Sequence, residues 1–320
     1  MKLIRTSKKG LCSIEIGPDG IAIAYSPQPA NREITICDFQ AYQNGNQFTP
    51  DLLKECLTKF VVQYNLKNTQ CNWVLHPDFY RLTLIDTPNV PQAEYKQAAR
   101  WQIKDIISYP IEDATIDILY PDELIKPLKK IYVIAAQQSF LQKIVDVIQS
   151  CNLLPIAIDI REFAIRNLIT KIVNQNETSG FLSFIKENCL MILIKQSHIQ
   201  FIRYMPINPS NIKNGNYSDL ITEIHRSFSY CQTELSQEAS TKEQSLDNCK
   251  TELNQELPNK FWMPPQENLD ANIMHDIATH LNKELVTFTL KEVVNLKITI
   301  NQQLESNCWV AVGGALRHAG

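Results

Sequence analysis

The sequence predicts an α/β protein of two lobes, each built around a mixed β-sheet. The chain has 320 residues, which exceeds one ordinary domain of roughly 100–200 residues. Its 44% hydrophobic and 20% charged residues are typical of a soluble globular protein. A pattern of three strands, a helix, and then alternating strand and helix occurs twice along the chain. Such alternation favours an α/β architecture with one sheet in each half.

The first half opens with three strands, a helix and a fourth strand. The predicted strands are Leu11–Gly17, Gly20–Ser26, Arg32–Phe39 and Asn72–His76. The first two are separated by Gly-Pro-Asp-Gly, which is a strong turn signal. A helix is predicted from Pro50, with Thr49 as its N-cap, because apolar residues then recur at helical spacing.

The following stretch has its own alternation of strand and helix. Its predicted strands are Arg81–Asp86, Ala114–Tyr120, Lys130–Ala135 and Pro155–Ile160. A helix is predicted from Gln92 to just before Tyr109, since the residue before Pro110 disfavours helix. Its predicted core face carries Tyr95, Ala98, Ala99, Gln102 and Ile106. Further helices are predicted from Ser139 and over Glu162–Ile172.

The second half repeats the opening pattern. The predicted strands are Gly180–Lys186, Cys189–Lys195, His198–Pro206 and Phe261–Met263. Helices are predicted from Tyr217 or Ser218, near Leu269–Leu281 and from Cys308. The stretch Gln232–Asn259 is polar and has few apolar positions, so it is predicted to be an exposed helical extension or a mobile loop.

Charge, hydropathy and cysteine usage exclude several classes of protein. The net charge is −3 with no dense basic tract, which argues against a nucleic-acid-binding protein. No apolar run approaches the roughly 18 residues of a membrane helix. The nine cysteines are scattered and contain no C-x-x-C pair, which argues against a disulfide framework and a zinc site. These features predict an unsecreted, cytoplasmic protein.

Motifs of catalysis and metal binding are missing from the sequence. It contains no G-x-S-x-G, H-E-x-x-H or G-x-x-x-x-G-K-[ST] pattern. His275 and His280 are five residues apart, which is the wrong spacing for one helical face. Glu112, Asp113 and Asp117 are better explained by solvated turns and strand ends than by paired-carboxylate catalysis. We therefore predict no catalytic residue and no metal ligand.

The sequence of Asn72–Leu168 resembles the middle of the PilM-type proteins of type IV pilus assembly. The resemblance is carried by QAEYKQAARWQIKDIISYPIEDATIDILY and by KKIYVIAAQQSFLQKIVDVIQSCNLLPIAIDIREFAIRNL. The segments EIHRSFSYCQTEL and WVAVGGALR also occupy places where that family has similar text. Within the family, the chain is most similar to the branch that serves mannose-sensitive haemagglutinin pili.

This resemblance implies an actin-like (ribonuclease H-like) fold: two lobes with mixed sheets and a small inserted α+β domain. The first lobe would comprise residues 1–71, completed by about 155–172 and the C-terminal helix 308–320. The inserted domain would span 72–154, and the second lobe 173–307 with the polar stretch 232–259. The implied partner is a PilN-like single-pass inner-membrane protein, through which the chain would be peripheral to the membrane. The pilus assembly ATPase would be reached indirectly.

Typical actin-like proteins bind ATP, but their nucleotide motifs are largely missing here. Where the family's first phosphate hairpin reads like D-I-G, this chain has Glu15-Ile16-Gly17. In the second hairpin Ser183 replaces the acid and Ile185 the glycine. The adenine-side turn should be glycine-rich, yet Phe261-Trp262-Met263 runs into Pro264-Pro265, and proline has no N–H to donate.

The glycine count agrees with these local losses. Nine glycines are about 3% of the chain, against a usual level near 7%. Phosphate-cradling loops need glycine so that backbone N–H groups approach the ligand. We therefore predict no ATP hydrolysis and no bound cofactor. If a nucleotide binds, Glu15 and Gly17 are the residues expected to hold it.

Two aromatic residues are candidates for partner binding. Trp101 lies well away from the predicted core face of its helix, so it packs on another element, meets a partner or lies exposed. Tyr109 ends the same predicted helix and is expected to line the same cleft. The resemblance implies that the PilN-type tail lies in a groove between the first lobe and the inserted domain. Both residues are selected by position alone.

The leading prediction is a cytoplasmic, non-catalytic adaptor of a type IV pilus assembly platform. A first alternative is an ATP-binding actin-like protein with a divergent pocket around Glu15. A second is the cytoplasmic component of a type II secretion platform, which resembles the same fold. A third is a sugar- or acetate-kinase relative, which the missing catalytic acid and glycines disfavour.

Overall fold

The chain divides into two compact units in a computed structural model. The first comprises Met1–Leu168 and Val294–Gly320, and the second comprises Ile169–Val293. The structure describes residues 8–17, 19–42, 48–121, 130–174, 176–185, 187–239, 257–265 and 270–317.

The first unit is built on a mixed five-stranded sheet. Its strands, with a short extra strand β3, are β1 (Lys8–Ile16), β2 (Gly20–Ser26), β3 (Glu33–Ile34), β4 (Ile36–Ala41), β5 (Thr69–Leu75) and β9 (Leu154–Ile160). The order in the sheet is β4-β2-β1-β5-β9. The β2 strand runs antiparallel to both of its neighbours, β4 and β1, whereas β1, β5 and β9 are mutually parallel. The predicted strand Arg32–Phe39 is thus divided into β3 and β4.

Helices cover both faces of this sheet. They are α1 (Pro50–Gln63), α3 (Gln138–Ser150), α4 (Arg161–Ile169) and the C-terminal α9 (Gln302–Ala315). Thr49 caps α1 as predicted, since its side chain accepts a hydrogen bond from the Leu52 N–H at 3.2 Å. The apolar face of α1 packs with α3 against alternate residues of β1, such as Ile14. The other face of the sheet, which carries Ser13, packs against α9.

A separate three-stranded antiparallel sheet lies within the first unit. Its strands are β6 (Tyr80–Asp86), β7 (Ala114–Leu119) and β8 (Lys130–Gln137), in the order β6-β8-β7. The predicted inserted domain, 72–154, is wider than this sheet. Residues 72–75 belong to β5, which pairs with β1 and β9, and Leu154 opens β9. The intervening α3 packs in the core of the main sheet, so the separate sheet and its strand connections span only 80–137.

The helix that follows β6 is shorter than the sequence predicts. After a 3-10 turn at Gln92–Glu94, α2 runs only over Tyr95–Gln102. Arg100 donates to the carbonyl oxygens of Ile111 (2.5 Å) and Ala114 (3.0 Å), which brings the chain after α2 back to its side. The predicted core face is therefore wrong beyond Ala99, because Ile103 is buried whereas Gln102 and Ile106 are exposed.

The second unit repeats the topology of the main sheet. Its strands are β10 (Ser179–Ile185), β11 (Asn188–Lys195), β12 (His198–Met205), β13 (Lys260–Met263) and β14 (Glu284–Thr287). The order is β12-β11-β10-β13-β14, with the first three strands antiparallel and the last three parallel. Each position matches one in the first sheet, so the duplication that the pattern predicted is present in the fold.

The helices of the second unit are α5 (Pro209–Lys213), α6 (Ser218–Ala239), α7 (Ala271–Leu281) and α8 (Leu290–Val293). Of the predicted polar stretch 232–259, the part up to Ala239 continues α6, and residues 240–256 lie outside the described residues.

Two short strands were not predicted. They are β14 and β15 (Asn295–Leu296), and β15 pairs with β3 within the first unit. The final helix begins at Gln302, not at Cys308, because Asn301 caps it by accepting from the Leu304 N–H at 2.8 Å.

Candidate functional site

Glu15 lies in the first hairpin, one residue before the end of β1, and its side chain is already paired. Strand alternation turns it away from the α1 face and toward α9. Its Oε1 accepts from Nη1 of Arg161 at 2.7 Å, and both side chains are almost fully buried. The guanidinium of Arg161 lies over the Trp309 ring, 5.0 Å from its centroid. Glu15, Arg161 and Trp309 therefore join β1, α4 and α9 in one buried contact.

Burial raises the pKa of Glu15 above its usual value of 4.5, and the charge of Arg161 offsets part of that rise. Removal of a carboxylate from water is costly unless a counter-charge accompanies it. Arg161 supplies that charge from within the protein. The Glu15 carboxylate, which the sequence analysis named as a candidate nucleotide-binding group, is thus paired with the Arg161 guanidinium.

The backbone of Gly17 is also engaged in the hairpin. Its N–H donates to the carbonyl oxygen of Gly20 at 2.9 Å, and its own carbonyl oxygen accepts from the Tyr42 hydroxyl at 3.1 Å. A phosphate-cradling loop needs N–H groups that point at the ligand. The Gly17 N–H instead closes the turn.

A second ion pair lies at the carboxyl end of β9. Asp159 is buried and pairs with Arg317, two residues after the end of α9. The side-chain amide of Asn72 donates to Asp159 Oδ2 at 2.9 Å and to the Gly314 carbonyl oxygen at 3.1 Å. Sequence reasoning missed this group, because its members lie between 87 and 242 residues apart and share no motif. Together these contacts fix the C-terminal end of α9 to the sheet.

The close approach of α9 requires its two adjacent glycines. A Cβ at Gly313 would lie 2.3 Å from the backbone oxygen of Ala164. A Cβ at Gly314 would lie 2.2 Å from the Ser13 hydroxyl oxygen and 2.5 Å from Val74. The Gly-Gly pair of WVAVGGALR is therefore explained by packing against α4 and the sheet.

The corresponding positions of the second unit also lack ligand-binding chemistry. Ser183 lies in β10 opposite Leu190 and is buried, and Ile185 ends that strand. Pro264 and Pro265 follow β13 directly and are buried. The position expected to carry the acid thus holds a serine, and two successive residues after β13 have no N–H to donate.

The two aromatic candidates have different environments. Trp101 lies on α2 with 62% of its surface exposed, so the alternative in which it packs inside the protein is excluded. Tyr109 is half-buried against the core of the small sheet, and its hydroxyl is buried without a partner among the described residues. Burial, with a smaller contribution from Asp113, raises the pKa of Tyr109.

Among the described helices, none is both long enough and apolar enough to cross a bilayer.

If the five strands of each main sheet are numbered by their order along the chain, both sheets have the strand order 3-2-1-4-5. Two such sheets, with a small extra sheet in the first unit, define the actin-like fold. A solved structure of the PilM–PilN type IV pilus biogenesis complex is similar to this chain, with a TM-score of 0.66 and 14% identity. The match covers 97% of this chain and 98% of that one. It confirms the predicted actin-like fold.

Two other solved structures show weaker likeness. One is the cytoplasmic domain of EpsL, an inner-membrane component of the type II secretion system of Vibrio cholerae. Its TM-score is 0.45 and its identity 12%, over 66% of this chain and 76% of that one. The other is a protein of unknown function with an actin-like ATPase fold from Bacteroides thetaiotaomicron. Its TM-score is 0.47 and its identity 10%, over 90% and 94% of the two chains. No protein-family model and no curated protein matches the sequence.

Proposed function

We propose that this chain is a non-catalytic, cytoplasmic adaptor of a type IV pilus assembly platform. In this proposal it holds the N-terminal tail of a PilN-like single-pass inner-membrane protein and reaches the assembly ATPase only indirectly. Within that class, the proposal assigns it the role of MshI in a mannose-sensitive haemagglutinin pilus system. The observation that carries the proposal is the similarity to the PilM–PilN complex structure over nearly the whole chain.

The geometry of the first hairpin supports a non-catalytic role. Magnesium and a triphosphate need free carboxylate oxygens and several N–H groups aimed at one point. Here the Glu15 carboxylate pairs with Arg161, and the Gly17 N–H closes its own turn. Both groups would have to leave existing partners before they could serve a nucleotide.

Titration with Mg–ATP should therefore release no measurable heat. Isothermal calorimetry of the full chain, repeated with Mg–ADP, is the measurement, and Glu15→Gln is the matched variant. A micromolar dissociation constant that is weakened in Glu15→Gln would contradict the non-catalytic proposal. That result would favour the rival function, an ATP-binding actin-like protein with a divergent pocket.

We propose Trp101 as a contact residue for the membrane partner. A tryptophan with 62% of its surface exposed gains more from burial at an interface than most side chains, and tryptophans are enriched at binding hot spots. If the tail contacts α2, Trp101→Ala should weaken binding about 30-fold, which corresponds to the roughly 2 kcal/mol of a hot spot. The measurement is fluorescence titration with an N-terminal peptide of the PilN-like protein from the same host.

Val62 provides the matched control for this titration. It is an apolar residue on α1 with 68% of its surface exposed, so Val62→Ala removes a comparable exposed group from another helix. Its peptide affinity should equal that of the unchanged chain. If Trp101→Ala and Val62→Ala bind the peptide equally well, Trp101 does not contact the partner. If the unchanged chain does not bind the peptide, the adaptor proposal is contradicted.

The pilus and secretion alternatives are separated by the partners recovered from the host. The tagged chain is purified from gently solubilised membranes, and bound proteins are identified by mass spectrometry. We expect single-pass pilus assembly proteins together with the cytoplasmic motor. Recovery of type II secretion components in their place would favour an adaptor role in that system. Recovery of metabolic enzymes alone would contradict both the pilus and the secretion assignments.

A further inference from the structure

The second unit contains an open groove between α7 and the edge strand β14. Its volume is about 1110 Å³. The helix lines it with a stripe that recurs every three or four residues and includes Met274 and Ala278. The strand side is lined by Leu285 and Val286. We refer to this feature as the α7–β14 groove.

One edge of the strand that borders the groove pairs with no other strand among the described residues. In a parallel pair, alternate residues direct both backbone groups to the same neighbour. The N–H groups of Glu284 and Phe288 donate to the carbonyl oxygens of Asn259 and Met263, at 2.8 and 3.0 Å. Leu285 and Thr287 must therefore direct their N–H and C=O groups away from β13. Within the described residues, no backbone group pairs with them.

The groove also contains a lysine without a carboxylate partner in the described part of the chain. Nζ of Lys283 donates to the Asn259 side-chain oxygen at 3.3 Å and lies 5.9 Å from the centroid of the Phe228 ring. Its burial lowers its pKa, as expected of an ammonium that is partly removed from water without a counter-charge. The adjacent Glu284 pairs instead with Lys260 at 3.4 Å.

We propose that the α7–β14 groove binds an extended peptide segment of a protein partner, which adds to β14 as a sixth strand. The unpaired groups of Leu285 and Thr287 would pair with the peptide backbone, as in other cases of strand addition. An aliphatic side chain would lie against Met274 and Ala278, and an acidic side chain would reach Lys283. This proposal is independent of the pilus assignment and concerns a different surface from Trp101.

The test is selection of displayed random seven-residue peptides on the full chain, with counter-selection on Ala278→Arg, whose side chain would fill the groove. We expect enriched peptides that alternate aliphatic residues and carry an Asp or Glu. A synthetic peptide of the enriched sequence should bind Ala278→Arg and Lys283→Gln at least 10-fold more weakly than the unchanged chain. Asn272→Arg is the matched control, because it adds an arginine to an exposed position of α7 that does not line the groove.

A proline at position 287 tests the strand pairing itself. Thr287→Pro deletes an outward N–H and keeps the bonds to β13, so the fold should tolerate it, as edge strands tolerate proline. Its circular dichroism and melting temperature should match those of the unchanged chain while peptide affinity falls. Failure to enrich any peptide that distinguishes Ala278→Arg would overturn the proposal. Self-association of the chain that Ala278→Arg abolishes would also overturn it, because the occupant would then be a second copy.

Discussion

Replacement of Arg161 by methionine is expected to lower the free energy of unfolding by about 3–5 kcal/mol at neutral pH, the usual cost of removing one member of a buried ion pair. The methionine retains the aliphatic part of the side chain, but it removes the guanidinium that lies over Trp309 and leaves the Glu15 carboxylate buried without a counter-charge. Urea denaturation of the two proteins at pH 7.5 measures the difference.

The loss in free energy of unfolding caused by Arg161→Met, here called the deficit, should depend on pH. The direction of that dependence follows from the raised pKa of Glu15. A carboxyl group with a raised pKa in the folded state holds its proton where the unfolded chain has lost it, so stability falls as pH rises through that interval. Without Arg161 the pKa rises further and the interval extends to higher pH. The deficit should therefore be smallest near pH 4.5 and largest at neutral pH.

Two further variants isolate the ion pair as the cause. Adding Glu15→Gln to Arg161→Met removes the unpaired charge, so much of the lost stability should return and the pH dependence should disappear. Lys59→Met breaks the exposed pair of Lys59 with Glu55 and should leave the urea midpoint unchanged. An Arg161→Met protein with a deficit that does not change with pH would contradict the electrostatic explanation.

Gly313→Ala is the second substitution with a large expected effect, a loss of about 2–3 kcal/mol in the free energy of unfolding. Alanine in a helix interior is intrinsically favoured over glycine by about 1 kcal/mol, so propensity alone predicts stabilisation. The new Cβ would, however, lie 2.3 Å from the backbone oxygen of Ala164, and overpacking against backbone is not relieved by a rotamer change. Thermal and urea unfolding give the net result.

Gly314→Ala should cost less than Gly313→Ala, because its nearest obstacles, the Ser13 hydroxyl and a Val74 methyl, belong to side chains, whereas the obstacle at Gly313 is the backbone of Ala164. Gln302→Ala, at an exposed position of the same helix, controls for changes in helix propensity. A Gly313→Ala protein as stable as Gln302→Ala would show that α9 shifts freely against α4. The described close packing of the helix would then be wrong.

Local sequence signals predicted most elements of the fold. The cap and apolar spacing of α1 depend only on neighbouring residues, and so does the turn between β1 and β2. The end of α2 was not predictable in this way, because it depends on Arg100 bonding to carbonyl groups 11 and 14 residues away. The short strands β14 and β15 were missed because four and two residues are too few to show alternation.

The candidate site was predictable in part. The sequence identified Glu15 as a surviving acid in the first hairpin, but its partner Arg161 is 146 residues away and follows no motif. Whether a buried carboxylate is free or paired is a property of tertiary packing, which one sequence does not display. The exposure of Trp101 was one of three open alternatives for the same reason, because helical angle alone does not say which elements cover a face.

The position of α9 in the chain has a consequence for biosynthesis. Its residues cover the face of the first sheet that carries Ser13 and Glu15, yet they are translated after the whole second unit. Until about residue 315 leaves the ribosome, that face lacks α9, and Arg161 lacks its contact with Trp309. The second unit is therefore able to complete its core first, although it is synthesised later than most of the first.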